Sequence, residues 1–178
     1  AIDDSKIEMP NTPLNREIFG NEGNQHKRKI ARALLSGIYD VENHFFLDVE
    51  IDIVDSNETK LAKRNIEAIQ EIIEKNKEII IFDRGYPSIE LFNWLEKQRN
   101  KFVMRLSRND YIKEKEEMTA EDEFIIIRYT YPRLNKIKKT NPEFYEEIKD
   151  KIGIELRITK IEINEKTTEY LISNLDKN

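Results

Sequence analysis

Residues Ile79–Ser88 read IIIFDRGYPS. Four apolar residues run directly into an aspartate, an arginine and a glycine turn. A short apolar run bounded by turn residues predicts a buried strand. Being apolar on both faces, it predicts a central strand with helices above and below. Asp83 falls where that strand ends. A carboxylate at that place can be a metal ligand, a phosphoryl acceptor, or only a turn former. Taken alone, an aspartate before Arg-Gly is most often the last of these.

Reading outward from this strand, the flanking segments predict an α/β order of β-β-β-α-β-α-β over about the first 107 residues. Ala1–Ile2 is read as the tail of a first strand that Asp3 ends, followed by alternating Lys6–Met9. The Asn-, Gly- and Pro-rich stretch 11–25 is a loop with a helical turn at Asn15–Phe19. Ile30–Tyr39 and Phe45–Val54 flank the turn DVENH and complete an antiparallel meander. Within LDVEIDIV, period two places Asp48, Glu50 and Asp52 on a solvent face rather than around a metal. Ser56 or Asn57 caps a helix with Glu58 in its first turn, an apolar stripe of Leu61, Ile66, Ile69, Ile72 and Ile73, and basic Lys75–Lys77 at its end. Ser88 caps a second helix whose buried face is Leu91, Phe92 and Leu95, and Lys101–Ser107 is a further strand.

The remainder changes character. Asp110–Glu123 reads as a charged linker, Phe124–Tyr131 as a strand, and Asn141–Ile152 as a short helix with Pro142 at its first position. Ile154–Ile163 and Thr168–Leu175 form a hairpin across NEKT. The division expected is therefore residues 1–107 and 108–178.

Composition narrows the function classes. The 178 residues contain no cysteine, which excludes disulfides and thiolate metal sites and points to a reducing cytoplasm. No apolar run is long enough to span a bilayer as a helix, and no signal peptide opens the chain, so no membrane partner is expected. Thirty basic against 35 acidic residues, a formal net charge of −5, argue against holding nucleic acid by charge alone. They leave open a site that handles nucleic acid through metal ions. The opening AIDDSKIEMP does not start with a methionine, and the chain reads as a piece of a longer protein. His26 and His44 are isolated and read as surface residues, and Trp94 with Phe92 reads as core.

Asp3 and Asp83 carry the strongest chemical pattern. If their strands are parallel neighbours, both carboxylates emerge at the edge where open α/β sheets bind ligands. Two close carboxylates repel unless a cation lies between them. Mg²⁺ suits oxygen ligands and phosphate-bearing substrates, and Mn²⁺ can substitute. Two such ions roughly 3.5–4 Å apart hold both the attacking and the leaving oxygen of a phosphoryl transfer. Arg84 either pairs with an acid or holds a phosphate bidentately.

AIDDSKIEMPNT, KRKIARALLSGIYDVENHFFLDVEI, IIIFDRGYPSIELFNWL and KFVMRLS together resemble insertion-sequence DDE transposases. The group resembled has a ribonuclease-H-like catalytic domain interrupted by a β-strand insertion, and the final EYLISNL resembles the last strand of that insertion. The resemblance covers essentially the whole chain, most specifically Ile79–Ser107. It implies a ribonuclease-H-like fold with a mainly β insertion, two catalytic and metal-holding aspartates at Asp3 and Asp83, and a DNA contact at Arg84. Asp3-Asp4-Ser5 departs from the family's Asp-Gly-Ser or Asp-Gly-Thr at Asp4, whereas Asp83-Arg84-Gly85-Tyr86 matches the second motif. The third carboxylate lies in a Tyr-Arg-Glu-Lys signature whose spacing does not occur in these residues. The family's N-terminal DNA-binding region is missing too. The resemblance thus implies strand cleavage and transfer on DNA by a homodimeric full-length protein, with residues 1–178 inactive alone.

Two other readings compete. A phosphoryl-accepting signalling domain also pairs an acidic couplet with a later aspartate, but the 80 residues between Asp3 and Asp83 and the meander among them disfavour it. Beryllofluoride binding distinguishes that class. A non-catalytic binding module would tolerate substitution of both aspartates.

Overall fold

The computed structural model describes residues 1–23, 29–70, 73, 78–165 and 167–177. Among these are nine strands and six helices, arranged as a mixed α/β architecture. Contacts divide the chain into two compact units, Ala1–Phe82 and Asp83–Asn178.

In the first unit, β1 (Ile2–Glu8) leads through α1 (Pro13–Ile18) and the two-residue β2 (Asn21–Glu22) to the long β3 (Ile30–Asp40). Thr12 caps α1, its hydroxyl accepting from the Asn15 N–H at 3.1 Å. β3 turns into β4 (Phe45–Ile53), followed by α2 (Glu58–Ile69) and β5 (Ile79–Phe82). The β3–β4 turn is built by Asp40, whose carboxylate accepts from the N–H groups of Glu42 and Asn43 and from the Asn43 amide, each at 2.9 Å. These bonds, led by the one from the Asn43 side chain, hold the Asp40 carboxyl below its ordinary range. His44 ends the turn, exposed and with φ 61°. His26, Ile72 and Lys75–Lys77 lie outside the described residues.

β1 and β4 flank β3 as antiparallel neighbours, giving the expected meander, while β5 pairs with β1 in parallel. Helix α2 covers one face of this sheet. Asn57 caps it, accepting from the Lys60 N–H at 3.0 Å, and Leu61, Ala62, Ile66 and Ile69 are buried along its inner side. Ser36 on β3 donates to Asn65 on α2 at 2.6 Å, which fixes the even-numbered residues of β3 as the helix-facing row. Leu34 and Ile38 share that row and are buried. Ile2 stands opposite both Ile38 and Phe82, so Ile2, Ile80 and Phe82 complete the core beneath the helix.

The acidic row of β4 lies on the helix side, contrary to the expectation that it faces solvent. Asp52, Glu50 and Asp48 pair with Leu34, Ser36 and Ile38, all helix-facing. Asp48 accepts from Asn65 at 2.8 Å, and Arg64 lies 3.6 Å from Glu50 and 3.4 Å from Asp52. The row left exposed is the apolar one. Val49, Ile51, Ile53, Ile79 and Ile81 are between 43% and 53% exposed. Polar and charged residues on α2 reverse the usual assignment, because hydrogen bonds to Arg64 and Asn65 compensate for drawing carboxylates away from water.

In the second unit, α3 (Ile89–Gln98) begins at Ser88, whose hydroxyl accepts from the Leu91 N–H at 3.3 Å. β6 (Lys101–Leu106), α4 (Ile112–Glu116), β7 (Asp122–Arg128), α5 (Tyr131–Thr140), α6 (Pro142–Ile148), β8 (Gly153–Asn164) and β9 (Thr167–Ser173) follow. The strands β6, β9, β8 and β7 lie in that order, antiparallel throughout. Phe92 stacks on Phe102 with ring centroids 5.9 Å apart, and both are fully buried, whereas Trp94 is only half-buried. Asn141 caps α6, accepting from the Phe144 N–H at 3.2 Å with Pro142 at the first position, as expected. Helix α5 has no counterpart in the sequence reading, which ran the β7 strand on to Tyr131.

The segment 110–123 is not the solvated linker its charge suggests. Glu114, on α4, is 2% exposed, and Arg133 donates to its two carboxylate oxygens at 2.5 and 3.1 Å. The same guanidinium donates to the Arg128 carbonyl at 2.8 Å and lies 5.0 Å from the centre of the Tyr111 ring.

Gly153 opens β8 opposite Arg128 at a place where a side chain does not fit. A Cβ there would lie 2.5 Å from the Ile127 carbonyl oxygen and 3.0 Å from the Arg128 Cα, both backbone atoms. Gly153→Ala should therefore destabilise the protein by about 2 kcal/mol, the scale of forced overpacking. Urea unfolding would show it as a lower midpoint at unchanged slope.

Candidate metal and DNA site

Asp3 lies inside β1 rather than at its end. The strand continues for five residues past it, because Ser5-Lys6-Ile7-Glu8 keeps the alternation and pairs with β3 as far as Glu8 opposite Arg32. The expectation that Asp3 ends the first strand is thereby corrected. Asp3 pairs with Gly37, putting it on the face opposite Ile2, and it is exposed. Its neighbour Asp4 pairs with Ser36 on the helix-facing side and is half-buried. The pleat thus separates the two members of the acidic couplet.

β1 and β5 are parallel with Ile2 opposite Phe82. Asp3 follows Ile2 in β1, and Asp83 follows Phe82 just past the end of β5. Asp83 enters a turn in which its carbonyl accepts from the Tyr86 N–H at 3.4 Å, while Tyr86 is buried. The Asp83 carboxylate is exposed, and the ion-pair neighbour it has in the second unit is Arg105, at 3.8 Å. Among the described residues no group of three or more His, Asp or Glu is arranged to hold a metal ion.

Arg84 pairs with an acid, one of the two roles expected of it. It donates to Glu169 on β9 at 2.6 Å. Arg105, on β6, approaches the same carboxylate at 3.3 Å. Neither Arg105 nor Glu169 stood out in the sequence. The signals available were KFVMRLS, which holds Arg105, and EYLISNL, whose first residue is Glu169.

A separate cleft of about 340 Å³ in the second unit is lined by Lys115, Thr119, Glu121, Lys160 and Tyr170, among others. Its amines are engaged. Lys115 donates to the Ser107 and Arg108 carbonyls at 3.1 and 2.9 Å and sits 5.1 Å from the centre of the Tyr170 ring, and Lys160 pairs with Glu162 at 2.8 Å. No described helix is long and apolar enough to cross a membrane.

A mixed sheet with a parallel β1–β5 pair beside an antiparallel meander, joined by α2, is consistent with a ribonuclease-H-like fold. A search of solved structures supports that class. The cryo-EM structure of a piggyBac transposase synaptic complex with hairpin DNA matches with a TM-score of 0.54 and 13% identity, over 99% of this chain and 33% of that one. The likeness at that identity is one of fold, and this chain spans about a third of the length of that transposase. The family model "Transposase DDE domain" matches residues 1–172, and the chain belongs to that family. No curated protein matches it.

Proposed function

We propose that this chain is the part of a DNA transposase that contributes two catalytic carboxylates, Asp3 and Asp83, to metal-dependent strand cleavage and strand transfer. The observation that carries this reading is the parallel register of β1 and β5 within a domain of the DDE family. That register starts Asp3 and Asp83 from adjacent positions on neighbouring strands. Both are exposed, both are oxygen donors, and the family generally works with divalent metals, so the residues fit Mg²⁺, with Mn²⁺ as a substitute. A bound Mg²⁺ supplies Lewis-acid stabilisation of the charge that builds on a phosphate during its displacement. The protein's part is to fix the two carboxylates. β1 does so for Asp3 through its pairing with Gly37 of β3 and the pairing of the preceding Ile2 with Phe82 of β5, and the turn closed by Tyr86 does so for Asp83.

Residues 1–107 are read as catalytic core and 108–178 as the β-rich insertion. The third carboxylate comes from elsewhere in the longer polypeptide, so residues 1–178 do not cleave DNA alone. The partner is duplex DNA at the transposon ends and target, handled by a homodimer. The experiment is strand nicking by the longer protein on a plasmid carrying its own element's ends. Nicking should require Mg²⁺ or Mn²⁺ and stop with EDTA. Nicking that persists in EDTA would overturn the metal-dependent reading.

A further inference from the structure

Arg84, Arg105 and Glu169 form a device that neither the family match nor the aspartate motif assigns. The carboxylate of Glu169 is bridged by two guanidiniums, Arg84 at 2.6 Å and Arg105 at 3.3 Å. The three come from separate places in the second unit: the turn after Asp83, strand β6, and strand β9. Arg105 and Glu169 are diagonal neighbours, since Arg105 stands opposite Leu171, two residues along β9 from Glu169. The two arginine side chains remain 41% and 45% exposed, while Glu169 is 21% exposed. Both arginine side chains are thus open to solvent while they hold Glu169.

Two guanidiniums converging on one pair of carboxylate oxygens present the donor geometry that also fits two non-bridging oxygens of a phosphate. Exposed pairs of this kind contribute little to folding. The internal anion is then cheaply replaced by one that brings further contacts of its own. We propose that Arg84 and Arg105 are a phosphodiester-binding pair and that Glu169 occupies it as an internal stand-in until DNA displaces it. This rests on the reading of the chain as a DNA transposase. It adds to that reading a second phosphate ligand, Arg105, and a residue that opposes binding, Glu169. Asp83, 3.8 Å from Arg105, ties the pair to the turn that carries the second aspartate.

The test is duplex binding measured across a salt series. Glu169→Gln should tighten binding by about 2–5-fold, the range expected for releasing a competing carboxylate from a partly exposed ion pair. Arg84→Ala and Arg105→Ala should each weaken it and lower the slope of log affinity against log salt by roughly 0.9, one phosphate contact apiece. In the double arginine variant the gain from Glu169→Gln should vanish, which isolates the coupling. Glu117→Gln controls for net charge, because Glu117 pairs at 2.6 Å with Arg128, an arginine about as exposed as Arg84 and Arg105. Equal tightening by Glu117→Gln and Glu169→Gln would overturn the proposal. So would duplex binding that is indifferent to both arginine substitutions. If the protein binds no duplex at all, the DNA reading fails by itself. The anion pair is then decided by titrating inorganic phosphate and following the Arg84 and Arg105 Nε–H resonances. Shifts that grow in Glu169→Gln keep the anion site, and unmoved resonances overturn it.

Discussion

Replacing Arg133 with methionine should destabilise the protein by about 3 kcal/mol, the usual cost of removing one partner from a buried ion pair. The loss exceeds that of an ordinary surface arginine because of what remains. Glu114 is 2% exposed and accepts from Arg133 at both carboxylate oxygens, so the substitution leaves a buried carboxylate without its cation. Arg133 also stacks near Tyr111 and donates to the Arg128 carbonyl, contacts that methionine cannot reproduce. Glu114→Leu combined with Arg133→Met should recover most of the loss, since apolar replacement of both partners is commonly neutral or better. Denaturant unfolding of the four proteins in a double-mutant cycle measures the coupling. A loss below about 1 kcal/mol for Arg133→Met, the range of exposed pairs, would show that water reaches Glu114 after all.

The pH dependence of the same pair has a definite sign. Burial, the largest single influence on Glu114, pushes its carboxyl up, but the bonds from Arg133 and its own backbone, with the charges of Arg133 and Arg128, outweigh it. The net position is below the ordinary 4.5. A carboxyl lowered on folding stabilises the native state above its unfolded value, and that stability is lost as pH falls through the folded value. In Arg133→Met the burial effect is left with its main opponent removed, so the folded carboxyl rises. The deficit of this variant should therefore be greatest near neutrality and shrink as pH falls from the variant's raised carboxyl value to the lowered one of the unsubstituted protein.

This pair also marks where the sequence stopped being informative. Residues 110–123 carry enough charge to read as a linker, and it is Arg133, nineteen positions further along the chain from Glu114, that partners the one buried carboxylate of the short helix within them. LDVEIDIV shows the same limit in a strand. Period two identified β4 and its two faces correctly, yet periodicity does not say which face is inside. That was decided by Asn65 and Arg64 on α2, which make the acidic face the one the helix covers. By contrast, elements set by local chemistry were legible: the caps Asn57 and Ser88, Pro142 at the first position of its helix, the meander turn, and the apolar core strand Ile79–Phe82. That strand was read as covered above and below, and Ile79 and Ile81 are exposed on one side. For the candidate site, the two aspartate motifs were legible because each is a contiguous run. Arg105 and Glu169 were not, being brought to Arg84 by pairing of β6 with β9.

If Asp83 has the role proposed, Asp83→Asn in the longer protein should lower strand cleavage by about 10³-fold or more, while leaving stability within about 0.5 kcal/mol of the unsubstituted protein. The size follows from the role proposed. Residues that merely orient a metal's ligands typically cost 10–100-fold when lost, so a carboxylate that touches the ion should cost more. The indifference of the fold follows from the surroundings of Asp83. Its turn is closed through its backbone carbonyl, which asparagine keeps, and its ion-pair neighbour Arg105 is a loose 3.8 Å away with both side chains exposed. The turn-forming role that an aspartate before Arg-Gly most often has predicts the opposite pair of results, a small change in cleavage with any cost falling on stability. Asp3→Asn should behave like Asp83→Asn, and the double variant should be little worse than either alone, because groups that act as a unit are not additive. A double variant that multiplies the two losses would mean that the aspartates act independently, and would count against a shared metal site even if each single loss were large.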